Sequence, residues 1–120
     1  GPESLGEGCF VDGFCFDSEG NVWVTTVLRN GLMIIDAQTQ QAHTVFEDVN
    51  EVALTEAAGA LATKNLTPEQ MFACGGETLQ LITSVNFGGD DLKTVYMGSL
   101  AMNKLVTFRS PVAGMPMLHW

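Results

Sequence analysis

Asp12 is the residue whose placement most invites chemistry. It precedes Gly13 and the apolar run Phe14-Cys15-Phe16, so it stands at the mouth of a hairpin, just before the first strand, rather than in the turn. A carboxylate there can ligate a cation or move a proton, whereas an Asp inside a turn satisfies its own backbone. One carboxylate is not a site: calcium takes about six to eight oxygens, and catalytic zinc about three protein ligands. Asp17 and Asn21 suggest a calcium loop only superficially, because an EF-hand needs more oxygens and flanking helices; turn capping accounts for both. Asp90-Asp91 reads as a solvated turn. His43 and His119 lack the paired spacing of a zinc motif. Cys74-Gly75-Gly76-Glu77 has no His partner that would make the thiol a nucleophile. Gly88-Gly89 is followed by a strand and no Lys-Ser/Thr, so it is not a phosphate loop.

Composition narrows the classes. In 120 residues, Asp and Glu outnumber Lys and Arg by 14 to 5, a net charge of −9. That disfavours nucleic acid and anionic membrane as partners, since both require basic surface. The apolar content is that of an ordinary globular chain long enough for one domain or part of one. Cys9, Cys15 and Cys74 are odd in number and irregular in spacing, which suits neither a disulfide framework nor a four-ligand zinc site. Cys15 falls in an apolar strand and reads as a small core residue. No stretch approaches transmembrane length and the first ten residues have no signal-peptide character, so a cytoplasmic setting is the expectation.

The elements that must position Asp12 follow from period-two alternation. Phe14 and Phe16 alternate with Cys15, Val22 and Val24 with Trp23, and Asp17 to Asn21 supply turn chemistry between them. Asn30-Gly31 marks a second turn, Leu32 to Ile35 a third strand, and Ala42 to Phe46 a fourth. Four short strands joined by turns form an antiparallel meander, the shape of one β-propeller blade. From about Glu47 the pattern changes. Asn50 to Thr63 is rich in helix formers, with Val52, Leu54, Ala57, Ala58 and Leu61 as its stripe. Thr67, Pro68 and Gln70 have the order of a capping box that opens a second short helix, ended by Cys74-Gly75-Gly76. Strands return at Ser84 to Phe87, Thr94 to Ser99 and Lys104 to Arg109, and Leu118 to Trp120 is a further candidate. The division expected is a first β unit over 11–46, a helical insert over 47–82 and a second β unit over 83–120.

The two β units match. Asp12 to Phe16 lies over Thr83 to Phe87 at an offset of 71, and Asn21 to Thr26 over Thr94 to Ser99 at an offset of 73. Thr25, Thr26, Gly98 and Ser99 therefore end equivalent strands with small residues. An internal repeat of one hairpin-based unit implies a repeat architecture, and such a unit normally needs more than two copies to close its core.

Two stretches carry a resemblance. Asp12-Gly13, an apolar strand, Asp17-Ser18-Glu19-Gly20-Asn21 and Val22-Trp23-Val24, followed later by Phe87-Gly88-Gly89-Asp90-Asp91 and Thr94-Val95-Tyr96-Met97-Gly98-Ser99, resemble the senescence-marker-protein (regucalcin), gluconolactonase and luciferin-regenerating-enzyme family. The resemblance covers Asp12 to about Ile35 and Thr83 to Phe108, with Val11 where the family has proline. It implies a mainly β fold: about two antiparallel four-stranded blades of a six-bladed β-propeller, with a helical insertion between them. It also implies that Asp12 is both a ligand of a divalent cation (Ca, Zn, Mg or Mn) and the proton-transfer residue in hydrolysis of a sugar lactone or similar ester. The family's other two ligands, a Glu and an Asn from earlier blades, have no matching segment in this sequence. The alternative is a non-catalytic fragment or interaction module, completed by oligomerisation or by the remainder of a longer propeller.

Overall fold

The computed structural model describes residues 10–116. Cys9, His119 and the candidate strand at Leu118 to Trp120 lie outside the described residues.

The first unit folds as predicted, into β1 (Val11–Phe16), β2 (Val22–Thr26), β3 (Gly31–Ile35) and β4 (Ala42–Glu47), a four-stranded sheet in sequential order. All its pairs are antiparallel. Two helices follow, α1 (Glu51–Ala62) and α2 (Pro68–Ala73), then β5 (Ile82–Gly88), β6 (Thr94–Ser99) and β7 (Val106–Arg109) in a second antiparallel sheet. This second sheet has three strands among the described residues.

The turns are built from the residues that need them. Gly20 at φ 85° and Gly89 at φ 82° supply the left-handed positions of the two corresponding hairpins. Asn30, at φ 51°, takes the same conformation before Gly31. Asn50 caps α1 by accepting from Ala53 N–H. Thr67 and Gln70 form the expected reciprocal capping box around α2, at 3.3 and 3.0 Å, with Pro68 at the first turn.

The sequence repeat is reproduced pair by pair. Phe14↔Val24, Cys15↔Trp23 and Phe16↔Val22 in the first sheet become Val85↔Met97, Asn86↔Tyr96 and Phe87↔Val95 in the second. Val24↔Met33 and Val22↔Ile35 become Met97↔Val106 and Val95↔Phe108.

The main core lies between the sheets. Trp23, Leu32, Ile82, Val85, Phe87, Val95 and Met97 are buried there, with Leu79. Trp23 is its centre: its ring meets Phe87 edge-on at 4.9 Å and lies parallel to Phe108 at 6.4 Å. A second, smaller core places Leu28 under Leu54, Ala57 and Cys74. The helical insert thus sits on the β2–β3 turn, whose apolar Leu28 would otherwise face water. α1 buries only part of its expected stripe. Leu54 and Ala57 are covered, while Val52 is 76% exposed and Leu61 also faces solvent, because the turn it packs on offers a small patch.

The insert is tied at its base by Asp48. Its carboxylate accepts from the backbone N–H groups of Glu77, Thr78 and Leu79 at 3.2, 2.6 and 2.7 Å. Those bonds stabilise the charged form and hold the Asp48 carboxyl below the usual range. Asn30 Nδ2 donates to the Cys74 carbonyl at 2.9 Å and fastens the same junction.

Candidate functional site

Asp12 lies within β1 rather than before it, and the reason is a bulge. β1 pairs with β2 at Val11↔Thr26 and resumes at Phe14↔Val24, so Asp12 and Gly13 together face Thr25. The Thr25 hydroxyl fills the gap. It accepts from Gly13 N–H at 3.0 Å and donates to the Gly13 carbonyl at 3.2 Å. A bulge of this kind re-aims the side chain it carries. The Asp12 side chain is exposed, and among the described residues no hydrogen bond or ion pair engages its carboxylate.

Gly13 explains where this bulge sits. A Cβ at Gly13 would run into the Thr83 carbonyl oxygen and come within 2.8 Å of Ser84 Cα. β1 and β5 therefore approach backbone to backbone beside Asp12. The helical insert packs at the same end of the first sheet, on the turn that joins Thr26 to Gly31.

The second sheet carries the same bulge with its parts exchanged. β5 pairs with β6 at Ile82↔Ser99 and resumes at Ser84↔Gly98, leaving Thr83 where Asp12 stands in the first. Here the hydroxyl comes from β5 and the glycine from β6: Gly98 N–H donates to Ser84 Oγ at 3.1 Å. A Cβ at Gly98 would collide with that same oxygen. The small residues noted at these strand ends are thus the packing parts of two bulges. Only the first bulge presents a carboxylate.

The other acids and thiols singled out by the sequence, Asp17, Asp91, Cys15 and Cys74, have structural employment. Asp17 is 1% exposed. It accepts from Glu19 N–H, Asn21 N–H, Asn21 Nδ2 and the Trp23 indole N–H at 2.9 to 3.0 Å. It therefore caps its turn, as expected, and also holds the core tryptophan, a role the sequence pattern did not reveal. Asp91 is the exposed counterpart. It accepts from Lys93 N–H and pairs with Arg109, whose guanidinium holds its carboxyl down at about 2. His43 is exposed on β4. Cys15 faces the inter-sheet core, where burial and the nearby Asp17 charge push its thiol up to about 12. Cys74 is fully buried under the insert, its thiol also raised by desolvation, with Sγ 3.4 Å from the Gln70 carbonyl. Neither thiol is poised as a nucleophile.

Among the described residues, no group of three or more His, Cys, Asp or Glu side chains converges to hold a metal ion. A divalent cation is therefore not accommodated by these residues alone: Asp12 offers one carboxylate where several oxygens are needed. No helix of the described residues is long and apolar enough to cross a membrane. The chain matches no protein-family model and no curated protein.

Proposed function

We propose that this chain is part of a β-propeller lactone hydrolase that depends on a divalent cation, to which it contributes Asp12 as one ligand and as the proton-transfer group. The observation that supports this reading is the first bulge. It frees a single carboxylate from all described partners and presents it at the seam of two close-packed strands, while the equivalent position in the second sheet is Thr83. The remaining ligands would come from outside the described residues.

The test uses manganese as a paramagnetic probe, which reports even millimolar affinity. Mn²⁺ added to the labelled chain is expected to broaden the amides of Val11 to Gly13 and of Thr83 and Ser84 first, and Asp12→Ala is expected to remove that broadening. Broadening centred on Asp36 or Asp90-Asp91, or unchanged in Asp12→Ala, would remove Asp12 from the site.

A second reading, a module without catalysis that another sheet completes, is favoured by the back of the first sheet. Phe14, Val24 and Met33 form one cross-strand row there, and Phe16, Val22 and Ile35 another. Phe14 is 62% and Phe16 43% exposed, with their rings in edge contact at 6.0 Å. An apolar face of this kind marks an interaction surface. Asp12→Asn separates the readings: it leaves assembly untouched in both and reduces lactone turnover of the completed assembly only in the first.

A further inference from the structure

β1 is an outer strand of the first sheet, and a later part of the chain has already entered its free edge. After β7 the chain crosses the β5–β6 turn, with Ser110 N–H on the Lys93 carbonyl at 2.8 Å. It then meets the end of β1. Ser18 N–H donates to the Ala113 carbonyl at 2.8 Å, and Met115 N–H donates to the Phe16 carbonyl at 3.0 Å. Together these bonds make one antiparallel bridge, Asp17↔Gly114. Gly114 suits this crossing: its N–H turns away to the Leu92 carbonyl at 2.8 Å, and a Cβ there would collide with the Phe87 side chain.

The pairing of β1 with β2 fixes which of its main-chain groups face outward. Asp17 N–H donates inward, to the Asn21 carbonyl at 3.1 Å. Antiparallel alternation then turns Cys15 toward β2, and Phe14 and Phe16 toward the free edge. Met115 engages the Phe16 carbonyl, whereas no turn or loop hydrogen bond among the described residues reaches Phe14 N–H or C=O.

The register of the bridge carries forward. It sets Pro116 opposite Cys15 and Met117 opposite Phe14. Proline fits its place, because at that position, as at Gly114, an N–H would face away from β1 and none is missing from the ladder. At Met117 the N–H faces β1 again. Met117 to Trp120 can span about 13 Å as a strand, enough to pass Phe14 and reach the Asp12-Gly13 bulge. These four residues carry no acid, and Met117, Leu118 and Trp120 are apolar, which suits an edge flanked by the exposed Phe14 ring. At the other end of β1 the Phe10 carbonyl accepts from Val27 N–H at 2.8 Å, which holds the preceding chain on the β2 side rather than on this edge.

We propose that Met117 to Trp120 extend this bridge into a fifth strand on the free edge of β1, pairing the Phe14 main chain from within the chain. Met115 and Met117 then continue the Phe16 and Phe14 rows, which widens the apolar back of the first sheet without covering it. The inference stands independently of the chemistry assigned to Asp12.

The experiment uses through-space proton contacts and amide exchange in the isotope-labelled chain. Two contacts are expected: Cys15 Hα to Pro116 Hα, and Phe14 N–H to Met117 N–H, the pattern of alternate wide and narrow antiparallel pairs. Phe14 N–H should be protected from exchange. Met117→Pro removes the N–H directed at Phe14 and should lower that protection at least about tenfold, while Leu118→Pro, on the outward-facing alternation, should change it less than about threefold. Three results would overturn the inference. The first is a Phe14 amide that exchanges at its intrinsic rate in the unsubstituted chain. The second is an equal response to the two proline substitutions. The third is Phe14 contacts that come from residues 1–9, or that vanish on dilution and so belong to a second copy.

Discussion

β1–β2 and β5–β6 are one hairpin built twice, and their first strands live in opposite surroundings. Val85, Phe87, Val95 and Met97 are covered by Trp23 and its neighbours; Val85 is 1% and Phe87 9% exposed. Their counterparts by repeat are Phe14, Phe16, Val22 and Val24, on the back of the first sheet, where both phenylalanines face solvent while Val22 is half-buried and Val24 buried. Conversely, Trp23 is buried against the second sheet, while its counterpart Tyr96 points away from that core. The sheets therefore pack head to tail: each unit has a face that receives and a face that inserts, and one of each is in contact. The lesson is that equivalent residues of one repeated hairpin are covered in the second sheet and, at Phe14 and Phe16, exposed in the first.

The largest test of that comparison is the aromatic pair. Trp23→Ala should cost about 4 kcal/mol in urea unfolding, and Tyr96→Ala less than about 1 kcal/mol. Equal costs would mean that the two positions are not in contrasting environments. Next comes Asp17→Ala, expected at about 3 kcal/mol, because it strands the buried Trp23 indole N–H along with the turn amides. The second hairpin lacks such a buried acid, so Asp91→Ala should shift the same urea midpoint far less. Phe87→Ala should cost about 3 kcal/mol, whereas Phe16→Ala should stay within about 1 kcal/mol. A large loss for Phe16 would show that this face is already covered in the free chain.

The pH response is smaller. Asp48 and Asp91 both have folded-state values below 3.8, so their contribution is fully present above pH 4 and is lost as pH falls through the lowered values. Protection of the Glu77 to Leu79 amides, taken relative to the intrinsic exchange rate at each pH, should therefore fall below about pH 4 before the inter-sheet core opens. Asp48→Asn should produce the same loss of protection at neutral pH. Last, Cys15 and Cys74 should resist a thiol reagent at pH 8 until the chain unfolds.

Much of this was legible locally. Period-two alternation located the strands, the Thr67 to Gln70 capping box was read residue for residue, and the offsets of 71 and 73 aligned residues that occupy equivalent pairs in the two sheets. The candidate acid was also legible, as a carboxylate outside the turn. Its bulge was not, because a bulge depends on which partner residues face each other, and Thr25 is thirteen residues from Asp12 along the chain. The second role of Asp17 escaped for the same reason: capping is local, but the bond to Trp23 needs the hairpin closed. A hint existed in the apolar Leu28 inside a turn, which calls for a cover that the insert provides.

The sequence by itself determined the hairpin units, their repetition and the acidic net charge, since these rest on neighbours a few residues apart and on summed charge. Tertiary structure alone decided which face of each sheet is buried, where the helical insert sits and that Asp12 stands in a bulge beside β5. Those depend on long-range contacts: an alternating strand specifies two faces but not which of them meets a partner.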